Sequence, residues 1–194
     1  MSQRESVHGV LLDIYGLGTL ILGESGIGKS EAALELIDRG ARLVADDVVE
    51  IERRGTKLVG QSPRLTRYHM ELRGVGVINI RDLFGPGSTL AVKELGLAIR
   101  LERVGDGGEP GVERLGLDKP SLSILGRELP LVRMPVAPGR NLAMLMEVAA
   151  RNQILKSQGR HAAERLVRRV DALARGHGRA RGKRSPRARK ARNA

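Results

Sequence analysis

Two hydrophobic periods alternate along this chain. Val10-Leu-Leu-Asp-Ile14 and Thr19-Leu-Ile-Leu22 are short aliphatic runs on either side of Tyr15-Gly-Leu-Gly18, which predicts a β-hairpin. The pattern then lengthens. Over Ser30–Asp38 strong helix formers place Ala33, Leu34 and Ile37 on one side, and Gly40 stands where a left-handed residue closes a helix. Arg42-Leu-Val-Ala45 reads as a strand running into Asp46 and Asp47, and Val48–Ile51 with Lys57–Val59 bracket Arg53-Arg-Gly-Thr56 as a second hairpin. Leu95, Leu97, Ile99 and Leu101 alternate with Gly96, Ala98, Arg100 and Glu102, the period of a half-buried strand, and Gly105–Gly111 is a surface loop by composition. Asn141 is placed to cap a helix with Leu142, Leu145, Met146 and Ala149 on one face and Met144, Val148 and Leu155 on another, so burial or a subunit contact is expected. After Gly159, residues Ala163, Leu166, Val167, Val170, Leu173 and Ala174 predict an amphipathic helix.

The first hairpin and the first helix are joined by Gly23-Glu-Ser-Gly-Ile-Gly-Lys-Ser30, a complete GxxxxGKS phosphate-binding loop in the strand–loop–helix order that its chemistry requires. Its glycines allow successive N–H groups to turn toward a phosphate; Lys29 supplies a charge for the β- and γ-phosphates, and Ser30 a hydroxyl for Mg²⁺. A strand ending in acids shortly downstream is where such proteins hold the metal and orient a nucleophile, and Asp46-Asp47 fits. Spacing alone leaves their division of labour open.

Charge changes the picture only at one end. The formal net charge is +12, but from Arg160 onward 13 Lys/Arg face only Glu164 and Asp171, leaving the preceding body nearly neutral. Residues 175–194 carry nine positive charges, no acid and little that is apolar, so a disordered basic tail is expected over 176–194, either a solubilising extension or a weak contact for nucleic acid or another polyanion. Stacking platforms for bases are not expected, because the aromatics are Tyr15, Tyr68 and Phe84. Without cysteine there is no disulfide or thiolate zinc site; no apolar run approaches a membrane span, and the first six residues lack the apolar stretch of a secretory signal. A soluble cytoplasmic protein of one domain is expected.

At this point the residues resemble the bacterial HPr kinase/phosphorylase family, which phosphorylates and dephosphorylates a serine of the phosphocarrier HPr. The likeness runs through Ser6-Val-His-Gly9, Gly23–Glu31, Leu43–Asp47, Met70-Glu-Leu-Arg-Gly-Val-Gly-Val-Ile-Asn79, Leu83-Phe-Gly85, Gly126-Arg127 and Pro135–Asn152 in the same order, and the 71–79 stretch is more distinctive than the phosphate loop. It implies an α/β P-loop kinase domain with a mixed, antiparallel-rich sheet, phosphoenolpyruvate carboxykinase-like, over residues 1–175. By the same likeness Asp47 is the acid/base for the seryl hydroxyl, and Ser30 and Glu71 hold Mg²⁺. Lys29 and Arg127 neutralise the transferring phosphoryl group, and His8 sits near the phosphates, where its titration would sense pH. Gly23, Glu24, Ser25, Gly26, Ile27, Gly28, Lys29 and Ser30 bind the nucleotide. Pro135, Val136, Ala137, Pro138, Gly139 and Arg140 resemble the dephosphorylation loop, with Arg140 before a helix N-terminus as an inorganic phosphate contact. ATP is the implied donor, with pyrophosphate an alternative; HPr is the partner, and a homohexamer the assembly.

Three departures qualify the likeness. Ala137 stands where arginine is frequent, which would weaken phosphate binding in the reverse reaction; Ala41 replaces a frequent histidine at a tolerant helix exit. Members usually carry an additional N-terminal domain before the Val-His-Gly motif, and only residues 1–5 precede it here. Two other functions remain open from the residues: a P-loop kinase of small molecules on the same scaffold, and a nucleotide-switched regulator that binds polyanions through its tail.

Overall fold

The computed structural model describes residues 3–103 and 117–181. The predicted loop at 105–111 and the tail beyond 181 lie outside them. Among the described residues the chain order is β1 (Arg4–His8), β2 (Val10–Ile14), β3 (Leu17–Leu22), α1 (Lys29–Asp38), β4 (Arg42–Ala45), β5 (Val48–Arg54), β6 (Lys57–Gln61), β7 (His69–Leu72), β8 (Gly76–Asn79), α2 (Ile80–Phe84), β9 (Val92–Arg103), β10 (Ser121–Ile124), β11 (Arg127–Val136), α3 (Leu142–Ser157) and α4 (Ala162–Arg181).

Most strands form one mixed sheet, in the order β1-β5-β6-β9-β3-β2-β4, with β11 and then β10 branching from β9. The branch follows from the length of β9. Its residues Val92–Glu94 pair with β6, while Ala98–Arg103 pair in parallel with β11 along the same edge, and β3 lies in parallel on the other edge. The C-terminal ends of β3, β9 and β11 therefore point the same way, as P-loop chemistry demands of the strand that feeds the loop.

Every residue of β2 is buried, which explains why its sequence does not alternate: both faces of this inner strand are covered. Val10, Leu12 and Ile14 face Leu36, Ile37 and Met146 of α1 and α3, while Leu11 faces Leu20, Val49, Ile51 and Leu58 on the opposite side. The hairpin turn is tighter than the glycines suggest. Tyr15 and Gly16 alone form it, at φ 53 and 85, the signature of a type I′ turn, and Leu17 and Gly18 already belong to β3. Gly18 is needed for another reason: a Cβ there would lie 2.0 Å from the Glu94 carbonyl oxygen, so only glycine lets β3 approach β9.

The α1 and α3 assignments hold within one residue, with Gly40 at φ 97 closing α1 and Asn141 accepting the Met144 N–H at 2.7 Å. One face of α3 buries Ala143, Met146 and Ala150; Met144 and Val148 on the other are more than half exposed. Helix α4 continues to Arg181, so the segment read as a disordered tail begins as helix: Gly176 and Gly178 cost helix stability without ending it. Strands β1, β7, β8, β10 and β11 were not read from the pattern. In β11 the cause is plain, since Pro130 and Pro135 interrupt a run whose Leu129, Leu131 and Met134 are buried. No helix among the described residues is long and apolar enough to cross a membrane.

Candidate phosphate and metal site

The phosphate loop leaves β3 at Gly23 and enters α1 at Gly28, the N-cap, whose left-handed conformation at φ 101 comes with no side-chain cap. The first N–H groups of α1 are thus left for an anion. The loop is anchored from beneath by Ile27, 5% exposed, whose burial contributes roughly 1.5–3 kcal/mol. Gly26 has φ 73, and a Cβ there would lie 2.7 Å from Arg73 Nη1, so glycine serves both the turn and the approach of a guanidinium. Lys29, nearly buried, donates from Nζ to the carbonyls of Gly23 and Glu24 at 2.9 Å each, which folds its ammonium over the loop.

Asp46 and Asp47 are neighbours in sequence and opposites in surroundings. Asp46 is 5% exposed and accepts from Ser30 Oγ at 3.0 Å and from the Glu71 N–H at 3.1 Å. Burial pushes its carboxyl above the usual aspartate range, against the pull of those two donors, and the charge of Asp47 pushes the same way. Asp47, by contrast, stands at φ 67, outside the regular strand conformation, and its side chain is 68% exposed. The β1–β5 register, His8 opposite Val48, brings the His8 ring beside it, with Nδ1 3.0 Å from Asp47 Oδ1. Geometry thus divides the labour that spacing left open. Asp46 holds the loop serine from within, and Asp47 faces outward beside the phosphate loop.

The β7–β8 hairpin completes the site. Met70 and Leu72 turn into the core while Glu71, between them, and Arg73, just beyond, are exposed on the other side. A cavity of about 150 Å³ is lined by His8, Lys29, Ser30, Asp46, Asp47, Glu71 and Arg73 together with Ser25, Gly26 and Gly28. A larger cavity of about 480 Å³, between β10–β11 and the α3–α4 junction, contains none of the expected residues, whereas His8, Lys29, Ser30, Asp47 and Glu71 line the smaller one. Among the described residues no three His, Cys, Asp or Glu side chains form a metal cage. Mg²⁺ takes one or two carboxylates and fills its remaining positions with substrate oxygens and water; Ser30, held by Asp46, and Glu71 are oxygen donors of the kind that could hold it.

Two expectations meet the structure differently. The loop at 135–140 lies at the same end of the sheet, with Pro135 and Val136 ending β11 and Leu142 reaching to 3.8 Å from a Cβ position on Gly28. Arg127 does not. It opens β11 at the other end: Leu131 of β11 and Leu20 of β3 flank the same Ala98, so Arg127 and Gly23 are separated by roughly 20 Å along the strands at about 3.3 Å per residue. Its neighbourhood is the β5–β6 hairpin, where Arg53 donates to the Leu125 carbonyl at 3.2 Å. The parallel register thus carries Arg127 away from the phosphate loop of its own chain. Arg73 is the cation the fold brings instead. It was missed as an individual residue, although its place two positions after Glu71, within the matching 70–79 stretch, was a usable signal.

Residues 1–170 match the family described as HPr Serine kinase C-terminal domain. The HPr kinase/phosphorylase of Brevibacillus brevis is 52% identical over 171 residues, covering 87% of this chain and 54% of that protein. That of Geobacillus thermodenitrificans is 50% identical over 178 residues, 91% of this chain and 57% of the relative. The chain thus spans about half the length of the curated relatives it matches. The solved structure of the Hpr(Ser) kinase/phosphatase from Coxiella burnetii superposes with a TM-score of 0.75 at 34% identity, over 84% of this chain and 98% of that one. With a phosphate loop, an inward and an outward aspartate and the Glu71 hairpin around one cavity, the chain belongs to the HPr serine kinase C-terminal domain family.

Proposed function

We propose that this chain carries the catalytic site of a cytoplasmic, ATP-dependent HPr(Ser) kinase that also runs the phosphate-dependent reverse reaction. The observation that carries the reading is Asp47, held at φ 67 beside His8 in the same cavity as Lys29 and Ser30. In the forward direction Asp47 takes the proton of the seryl hydroxyl as its oxygen attacks the γ-phosphorus of ATP, and ADP leaves. His8 orients the carboxylate. The loop N–H groups, Lys29 and Arg73 carry the charge of the transferring phosphoryl group, Arg73 in the role the resemblance gave to Arg127. Ser30 and Glu71 would hold Mg²⁺, with Asp46 fixing Ser30; bound there, the ion neutralises phosphate charge.

In the reverse direction an oxygen of inorganic phosphate attacks the phosphoserine phosphorus. The seryl oxygen leaves with the proton from Asp47, and pyrophosphate is the product, so pyrophosphate can also act as donor when the reaction runs backward. Arg140 and the 135–140 loop receive that phosphate. The exposed Met144 and Val148 of α3 support burial between chains in a homohexamer, where a neighbouring subunit could supply Arg127.

The test is incubation with HPr, Mg²⁺ and ATP, then with excess phosphate, following serine phosphorylation by mass spectrometry. Asp47→Asn is expected to lose both reactions by about 10²–10⁴-fold while keeping nucleotide binding, the range for removing a general base. Normal turnover in that variant sinks the assignment.

A further inference from the structure

Asn141 makes two hydrogen bonds with one amide. Its Oδ1 accepts the Met144 N–H at 2.7 Å and caps α3, while its Nδ2 donates to Glu35 Oε1 of α1 at 3.2 Å. The second bond joins parts of the molecule that the chemistry uses separately. Helix α1 begins at the phosphate loop; α3 begins where the 135–140 loop ends. Within that loop Arg140 Nη1 donates to the Pro135 carbonyl at 3.3 Å and the Arg140 N–H to the Ala137 carbonyl at 3.2 Å.

Glu35 is itself held. Arg39 pairs with it one turn along α1 and reaches Glu147 of α3 at 3.6 Å; Glu147 accepts from Arg151 at 2.9 Å, and the Arg151 guanidinium covers the Tyr15 ring at 4.2 Å. A row of polar contacts thus runs along the α1–α3 seam and ends at Asn141. Only an amide suits its last position. An aspartate would cap α3 equally well but turn a carboxylate toward Glu35, and a serine would cap without reaching it.

We propose that Asn141 is a positioning residue: its bond to Glu35 fixes the 135–140 loop against the phosphate-loop helix, and so sets how well the protein uses inorganic phosphate relative to nucleotide. This rests on the functional reading above, in which that loop receives inorganic phosphate. Distance between two phosphate-holding loops matters only when both are filled, so the bond bears on the reverse reaction and not on transfer from ATP.

The experiment measures both directions with HPr and its phosphoserine form in the parent protein and in Asn141→Asp, Glu35→Ala and the double variant Asn141→Asp/Glu35→Gln. Asn141→Asp is expected to raise the KM for inorganic phosphate about fivefold to tenfold, with kcat and KM for ATP within about twofold and the melting temperature unchanged because the cap is kept. Glu35→Ala, which leaves the cap untouched, gives the same rise. In the double variant the new amide donates to the new carboxylate, and most of the phosphate affinity returns. An unmoved KM for phosphate, an equal fall in both directions, or a double variant without rescue overturns the positioning role while leaving the kinase reading intact. A parent protein that performs neither reaction on HPr overturns the functional reading, and this inference with it.

Discussion

At the start of β4, Arg42 lies against Asp13 of β2; just beyond its end stands Asp46, and the two carboxylates are almost equally buried, at 2% and 5% exposed. Their partners differ. Asp13 is met by Arg42, whose Nε donates to it at 2.9 Å, and by Lys93 Nζ at 2.9 Å. Burial pushes its carboxyl up, but the two cations outweigh burial and hold it below the usual aspartate range. Asp46 has the neutral Ser30 hydroxyl and the Glu71 N–H, and its carboxyl stays raised. A buried acid whose countercharge is built into the chain stabilises the fold; one whose donors are neutral, beside a phosphate loop, is suited to a cation that arrives with the substrate. Burial alone does not separate structure from function here; the countercharge does.

The sharpest break in this contrast is Asp46→Asn. Metal-dependent transfer to HPr should fall by about 100-fold, the upper range for removing a group that orients a metal ligand, while the melting temperature at neutral pH stays level or rises. A large loss of stability would put Asp46 in the same class as Asp13.

Asp13→Asn should do the reverse. Two cations left facing a neutral amide are expected to cost about 2–3 kcal/mol of stability in denaturant titration, discounted because Arg42 and Lys93 both reach solvent, while the folded protein keeps its activity. The pH dependences have opposite signs. Asp13, with a lowered folded pKa, stabilises fully above the ordinary aspartate value of about 3.9 and loses that contribution as pH falls through its lowered value. Asp46, raised, favours the fold below about 3.9 and loses that contribution as pH rises through its raised value. On lowering the pH, Asp13→Asn should therefore gain stability relative to the parent, and Asp46→Asn should lose stability relative to it.

The smallest effect is expected at Ala137. Ala137→Arg adds a cation to an exposed loop that has Arg140, and should raise phosphate-dependent dephosphorylation about threefold at low phosphate with little change in kinase rate. An unchanged ratio counts against the loop as a phosphate site.

Much of this arrangement was legible in the chain. The phosphate loop, the strand before it and the helix after it are contiguous, and glycine spacing encodes their backbone conformations directly, so Gly26 and Gly28 adopt the positive φ values that the motif requires. The paired acids after Leu43-Val-Ala45 were found for the same reason. Arg127 shows where such reading stops: it belongs to a motif that matches the family, yet parallel register on β9 carries it to the far end of the sheet. The β7–β8 hairpin, too short and too glycine-rich to show a period, delivers Arg73 instead.

The sequence by itself determined a phosphate-loop motif at residues 23–30 between strand and helix, with paired carboxylates following, because those features need only neighbours along the chain. The tertiary structure decided which aspartate faces inward, which arginine meets the loop, and that Asn141 reaches Glu35, because each depends on strand register and helix packing across tens of residues. Asp46 and Asp47 differ by one position and one positive φ, and that turn, next to the β1–β5 pairing, separates the buried acid bonded to Ser30 from the exposed one beside His8.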